Sequence, residues 1–214
     1  MPRLPRGNRP REVASAYCSQ AALRAQVQQK YREVALEPDT SFHFHTGRSL
    51  ATRLGYPRAA VDRLPDTAVE SFAGVGSPFA LRDLELGERV VDAGCGAGFD
   101  TVLAAGQVGP HGRVIGVDMT PEMLAKARRT VDELGLDHVE IREGLAEQLP
   151  VEDDWADVVI SNVVINLCPD KATVVAEIHR CFDPARHCSS PTSPTATRYP
   201  TPRSATSTCA PAER

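Results

Sequence analysis

Three glycines at alternate positions, Gly94, Gly96 and Gly98, join an apolar run to a stretch with helical spacing. A chain turns that sharply between a strand and a helix only where side chains are absent, so the segment constrains the whole fold. Arg89-Val90-Val91-Asp92-Ala93 reads as a short buried strand and Asp100 to Val108 as the helix that follows, closed by Gly109-Pro110. Arg113 to Asp118 predicts a second strand. Thr120 then serves as N-cap and Pro121 as first residue of a helix running to Leu134, stopped by Gly135. His138 to Arg142 alternates as a strand does. Asp157 to Ser161 carries Val158-Val159-Ile160 and reads as a central strand, and Asp170 to Phe182 as a helix. This βαβαβ…βα order with short connections predicts an α/β fold, a Rossmann-like doubly wound parallel sheet.

The flanks differ from this unit. Residues 1–88 read as a helical and loop-rich extension, with a weakly amphipathic helix over Arg11 to Ala35 and short helices near Leu50 and Pro57. Residues 89–182 form the predicted ligand-binding domain. Residues 183–214 are rich in Pro, Ser, Thr and Arg and contain no Leu, Ile, Val, Phe, Met or Trp. Such a segment cannot bury enough apolar surface to offset ordering, which predicts disorder.

The form of the glycine turn narrows the ligand. A dinucleotide fingerprint needs its third glycine at position 99, where this chain has Phe99. The G-x-G-x-G form is typical of S-adenosylmethionine (SAM) binding, where the turn cradles the amino-acid portion of a ligand without phosphate. Asp118 ends the second strand, placed to accept hydrogen bonds from both ribose hydroxyls. Met119 can lie against the adenine face, and Leu145 and Ala146 sit where an adenine N6 contact falls. Asp92 is placed to position the amino group. Cys95, between two of the glycines, reads as a small buried filler at the cofactor's edge. Asn162, just past the fourth strand, faces the crevice at the strands' carboxyl ends.

Three separated stretches resemble the arsenite methyltransferase family: Glu70 to Phe79, Gly112 to Leu124, and Ile160 to Lys171. The resemblance spans roughly residues 25–182. It implies a class I methyltransferase fold and transfer of the SAM methyl group to trivalent arsenic held by cysteine thiolates. A common form of the family places Cys after Ser161-Asn162; this chain has Val163. Cys168, in the same loop, is then the best acceptor-side thiol, with Asn162 beside it as the second candidate catalytic residue. Tyr31 corresponds to an aromatic that closes over SAM in related enzymes. The family's sheet has seven strands, whereas four are legible here, and the break after Phe182 is expected to reflect a shifted reading frame or a degenerate C-terminus. That expectation carries marginal solubility and weak turnover with it. Two other readings stay open: methyl transfer to a small organic acceptor such as a quinone precursor, and a SAM-binding remnant without activity.

Composition removes other classes. Lys and Arg total 24 against 28 Asp and Glu, a net charge of −4, which argues against a nucleic-acid partner. No apolar run approaches the ~20 residues of a membrane span, and no apolar segment follows the basic N-terminal residues as in a secretory signal. The expected setting is therefore cytoplasmic, with reduced thiols. His43 and His45 alternate on one face but lack a third ligand, so no metal is expected and the segment reads as a lid or surface loop. The expected partner is a small-molecule acceptor.

Overall fold

The computed structural model describes residues 20–38, 40, 42 and 44–183. Four strands, β1 (Arg89–Ala93), β2 (Arg113–Asp118), β3 (Val139–Glu143) and β4 (Val158–Ile160), form one sheet in the order β3-β2-β1-β4. Every pairing is parallel, with Val90 opposite both Val114 and Val158, and Val114 opposite Val139. The chain winds outward from β1 to β3, then returns to the other side of β1 for β4. Open α/β sheets bind ligands outside the carboxyl ends of their strands at such a reversal.

Strand residues point alternately to the two faces. Val90 and Val114 pack with Ala104, Ala105 and Val108 of helix α5 (Phe99–Val108). Val91, Ala93, Ile115 and Val117 pack instead with Leu149, Val151, Ala156 and Cys181, the last residue of helix α8 (Lys171–Cys181). Helix α6 (Pro121–Glu133) presents Met123, Leu124 and Ala127 inward, as its apolar spacing requires.

The N-terminal part supplies a further layer. Helices α1 (Gln20–Leu36), α2 (Gly47–Arg53), α3 (Arg58–Val61) and α4 (Asp66–Val69) precede the sheet. Leu50, Tyr56, Val61, Leu64, Val69 and Phe72 bury against Phe99 and Val102 of α5, so this layer covers the helix that follows the glycine turn. Tyr56 meets Phe72 and Phe99 edge-on, with ring centroids 5.5 and 5.0 Å apart.

Several expectations are corrected. Among the described residues β4 is an outer strand, not a central one, and its Val158 and Val159 are only half-buried. It is also shorter than expected: at its ends the Asp157 carboxylate accepts from the Arg89 amide (2.8 Å), with the Asp157 amide donating back to Arg89 O (2.8 Å), and the Ser161 hydroxyl donates to Ala93 O (2.8 Å). A short helix, α7 (Val164–Leu167), was not foreseen. Thr120 occupies the N-cap of α6 but makes no side-chain capping bond; Asp170 does cap α8, accepting from the Thr173 amide at 3.0 Å. At the foot of β4, Phe182 lies parallel to Ala156, and the Asp183 amide donates to Ala156 O at 2.9 Å. The expected disorder of residues 184–214, the first part of the Arg11 helix, and His43 lie outside the described residues.

Candidate active site

One cleft opens where the strand order reverses. Its floor is the turn between β1 and α5. Gly94, Gly96 and Gly98 all have positive φ (84°, 53° and 87°), a region that L side chains rarely adopt. Gly94 is the tightest: a Cβ there would run into the Val164 side chain of α7. Four of the turn's own amides are already used. Gly94 and Cys95 donate to Val117 O (2.7 and 2.9 Å), Gly96 to Asp118 Oδ2 (3.0 Å), and Gly98 to Cys95 O (2.9 Å). A phosphate cradle needs such amides free, so the turn suits a ligand without phosphate.

Asp118 closes the second wall. Its Oδ1 accepts from the Thr120 amide at 2.8 Å, and its other oxygen holds Gly96. Each carboxylate oxygen keeps capacity for another donor, the requirement of a vicinal diol. Met119, Leu145 and Ala146 continue the wall beyond Asp118. Helix α1 crosses above them: Gln28 donates to Met119 O (2.7 Å), and Arg24 pairs with Glu147 (3.2 Å). Tyr31 lines the cleft too; burial raises its hydroxyl pKa, and the Asp118 charge adds to the rise.

Three carboxylates thus face one cleft. Asp92 is 1% exposed and accepts from the Thr101 hydroxyl at 2.6 Å. Asp100 is 6% exposed and accepts from Tyr56 OH (2.7 Å) and Asn162 Nδ2 (3.0 Å). Burial pushes both carboxyls up, Asp92 to about 8 with help from the Asp100 charge, Asp100 to about 6 against its two hydrogen bonds. Burial also raises Asp118, opposed by the Thr120 and Gly96 amides.

These shifts fix a sign for stability. A carboxyl raised on folding holds its proton better in the folded chain, so the stability it contributes is full below about pH 4 and lost as pH rises through the folded value. The lowered carboxyls, Glu33, Glu140, Asp170 and Glu177, are fully ionised above about pH 5 in either state and contribute no slope there. The ligand-free chain should therefore melt roughly 5 °C lower at pH 8.5 than at pH 6. Scanning calorimetry of the chain and of Asp92→Asn checks this. A flat profile in the unmodified chain contradicts the assignment.

Asn162 reaches the cleft, but its amide is tied into the protein. Nδ2 lies 2.8 Å from Gly76 O as well as bonding Asp100, and Oδ1 accepts from the Val75 amide at 3.0 Å. Gly74 is pressed against it: a Cβ there would come within 2.5 Å of Nδ2. Asn162 thus straps the segment 74–76 to the sheet. Neighbouring Val163 has φ 78°, an uncommon conformation for a β-branched residue.

Two thiols line the cleft among the described residues, Cys95 and Cys168. Cys95 is buried beside the turn, as a filler should be, and burial raises its pKa well above the ordinary thiol value. Cys168 is half-buried at the far rim; burial, then the Glu147 charge, push it to about 11. Among the described residues no set of His, Cys, Asp and Glu could hold a metal ion, and no helix is long and apolar enough to cross a membrane.

The structure therefore gathers Asp92, Gly94, Cys95, Gly96, Asp118, Met119, Leu145, Ala146, Asn162 and Cys168 along one cleft. Gly98 lies one step behind, where a Cβ would come 3.2 Å from Ala127 Cβ. Sequence reasoning missed Tyr56, Asp100 and the covering side chains Arg24 and Gln28. No local signal announces them, since each acts through contacts distant in the chain.

Comparison with known proteins agrees with this geometry. Residues 84–210 match the family described as "Methyltransferase domain". An arsenite methyltransferase of Halobacterium salinarum is 47% identical over 139 residues, 65% of this chain and 35% of that protein. A demethylmenaquinone methyltransferase of Bacillus cytotoxicus is 36% identical over 104 residues, 49% of this chain and 44% of that one. The crystal structure of an arsenic (III) S-adenosylmethionine methyltransferase from Chlamydomonas reinhardtii superimposes with a TM-score of 0.55 at 41% identity, covering 59% of this chain and 45% of that one. The chain thus spans less than half the length of these relatives. With the parallel sheet, the glycine turn and the family match over residues 84–210 together, the chain belongs to the methyltransferase domain family, with a class I Rossmann-like core.

Proposed function

We propose that the chain binds S-adenosylmethionine in the switch-point cleft and transfers its methyl group to trivalent arsenic carried on thiolate sulfur. The observation that carries the cofactor assignment is Asp118. It sits at the end of β2 with two backbone amides fixing its carboxylate, one of them from the glycine turn itself. The cleft chemistry fits: anionic groups for a cation, a carboxylate for a diol, apolar residues for a base, and no free amide cradle for a phosphate. When bound, the cofactor would supply an electrophilic methyl group, which an acceptor lone pair attacks in line while the S–CH3 bond breaks and the neutral thioether leaves. The protein's part is proximity, alignment and exclusion of water. Residues 20–88 serve as the cover and residues 89–182 as the cofactor domain.

The arsenic assignment rests on Cys168, the more open of the two cleft thiols, and on the likeness to two arsenic methyltransferases. Soft thiolate suits a thiophilic acceptor. The raised pKa keeps the Cys168 thiol protonated near neutrality, and on capture its proton leaves with the hydroxide or thiolate that arsenic gives up, as water or free thiol. A second reading, transfer to a small organic acceptor, is favoured by Val164, Leu167 and Pro169, which make the rim beside Cys168 apolar.

One assay separates them. With SAM, arsenite and excess thiol, methylated arsenicals should form, and Cys168→Ser should lower their yield at least about tenfold, on the order of one strong soft-ligand contact. Cofactor binding without methylated arsenicals rejects arsenic and directs the search to organic acceptors. Binding with no transfer to either marks a cofactor-binding protein without activity.

A further inference from the structure

We infer that Tyr56 is a positioning residue for the transfer. Through Asp100 and Asn162 its hydroxyl locks the cleft wall at Ala73 and Gly74 to the helix that leaves the glycine turn, so that acceptor wall and cofactor seat are held as one piece. This rests on the proposed methyl transfer and deepens it.

Four segments distant in the chain meet at this hydroxyl. Tyr56 follows α2, Val75 and Gly76 follow α4, Asp100 stands in the first turn of α5, and Asn162 follows β4. Their hydrogens and lone pairs match. The Tyr56 hydroxyl has a single proton and gives it to the nearer acceptor, Asp100 Oδ1 at 2.7 Å. Asn162 Nδ2 has two, one for Asp100 Oδ2 at 3.0 Å and one for Gly76 O at 2.8 Å. Asn162 Oδ1 accepts from the Val75 amide at 3.0 Å. The Tyr56 oxygen lies 3.0 Å from Gly76 O and 3.2 Å from Asn162 Nδ2, at the centre of the set.

Tyr56 is buried, and its ring stands edge-on to Phe72, Phe79 and Phe99, with centroids 5.5, 6.4 and 5.0 Å away. The ring fixes the hydroxyl, the hydroxyl fixes the Asp100 carboxylate, and the two together fix the plane of the Asn162 amide. The wall has no slack against that amide: a Cβ on Gly74 would come 2.5 Å from Nδ2 and 2.6 Å from Phe72 Cζ. Polar side chains set among aromatic rings carry a desolvation cost that apolar residues of the same shape avoid; what they add is direction. With Asp118, Met119, Leu145 and Ala146 given to the nucleoside, Ala73, Gly74 and Val164 are left to face the acceptor. In-line displacement punishes a misplacement of about 1 Å by on the order of 100-fold in rate, so a wall held in one direction matters to turnover more than to binding.

Hydrogen exchange and kinetics of the full chain test this. In the unmodified, ligand-free chain the Val75 amide, on a residue 69% exposed, should exchange at least about tenfold slower than an unstructured amide, because Asn162 Oδ1 holds it. Tyr56→Phe keeps the ring and removes only the hydroxyl. It should speed Val75 exchange at least about fivefold. It should leave SAM affinity within about twofold and the acceptor KM within about threefold, and lower turnover per bound cofactor at least about tenfold. Phe79→Leu, which loosens the same ring but keeps the hydroxyl, should lower the melting temperature and leave Val75 exchange and turnover within about twofold. A merely structural Tyr56 gives the other pattern: stability falls in both variants and turnover per bound cofactor stays. An unprotected Val75 amide in the unmodified chain overturns the inference without any variant, and so does unchanged turnover per bound cofactor in Tyr56→Phe. If the unmodified chain binds SAM but methylates neither arsenite nor an organic acceptor, the proposed function fails on its own account. Val75 exchange in Tyr56→Phe then decides the lock, and an unchanged rate refutes it.

Discussion

Asp118→Ala will lower SAM affinity by at least about 100-fold, since hydrogen bonds to a charged acceptor contribute roughly 1.5–3 kcal/mol each and a ribose diol makes two. The geometry is already fixed without ligand. One carboxylate oxygen holds the Thr120 amide and the other the Gly96 amide, so the side chain is oriented before any ligand arrives. Its removal takes away the diol acceptor and also frees the glycine turn from the end of β2. Asp118→Asn separates the two effects. The amide keeps the shape and one acceptor oxygen but loses the charge, and should give a loss of about tenfold. Titration calorimetry measures both. Unchanged affinity in the alanine variant would remove Asp118 from the site and with it the basis of the cofactor assignment.

Gly94→Ala will abolish cofactor binding and lower stability by about 3 kcal/mol, near 10 °C in melting temperature. Two independent penalties add. The backbone at φ 84° disfavours any Cβ, and the new methyl collides with Val164 of α7. Val164→Ala in the same chain removes the Cγ2 collision but leaves the Cβ of residue 164 at 2.7 Å from the new methyl, along with the backbone strain. The double variant should therefore recover only a minor part of the lost stability, without recovering binding. Thermal melts and titration together check the pair. If Gly94→Ala melts with the unmodified chain, the tight approach of α7 to the turn is not a feature of the folded protein.

How much of this was written in the chain depends on the range of the contacts involved. β1 and β2 have the expected bounds because each is a short apolar run closed by residues that end strands: a glycine turn after Ala93, and Thr120-Pro121 soon after Asp118. β3 begins one residue later than expected, at Val139, since the His138 carbonyl is the acceptor for the Val114 amide that opens the ladder. β4 is one residue shorter at each end than expected, and there the Asp157 and Ser161 side chains bond to the β1 backbone, which no hydrophobic pattern reveals. The wall of the cleft proposed to hold the cofactor could be read as one group because its residues sit on consecutive turns of one repeating βα unit. The acceptor side was not. Asn162 meets Gly76 across 86 positions and Tyr56 across 106. Asp100 reads only as the first residue of a helix; an acid in a first turn is favoured by the dipole in any case, so its presence there carries no functional signal.

The placement of α1 has a kinetic meaning. Its buried residues, Val34 and Ala35, are at its C-terminal end, while its N-terminal half is attached by Arg24 and Gln28 to Glu147 and Met119 O. A rod rooted at one end and clasped at the other by a few polar links swings open by local unfastening, at far smaller cost than unfolding the sheet. The nucleoside can enter and leave on that swing. The strength of those clasps, rather than the fit of the pocket beneath them, then sets how long a guest stays between one exchange and the next.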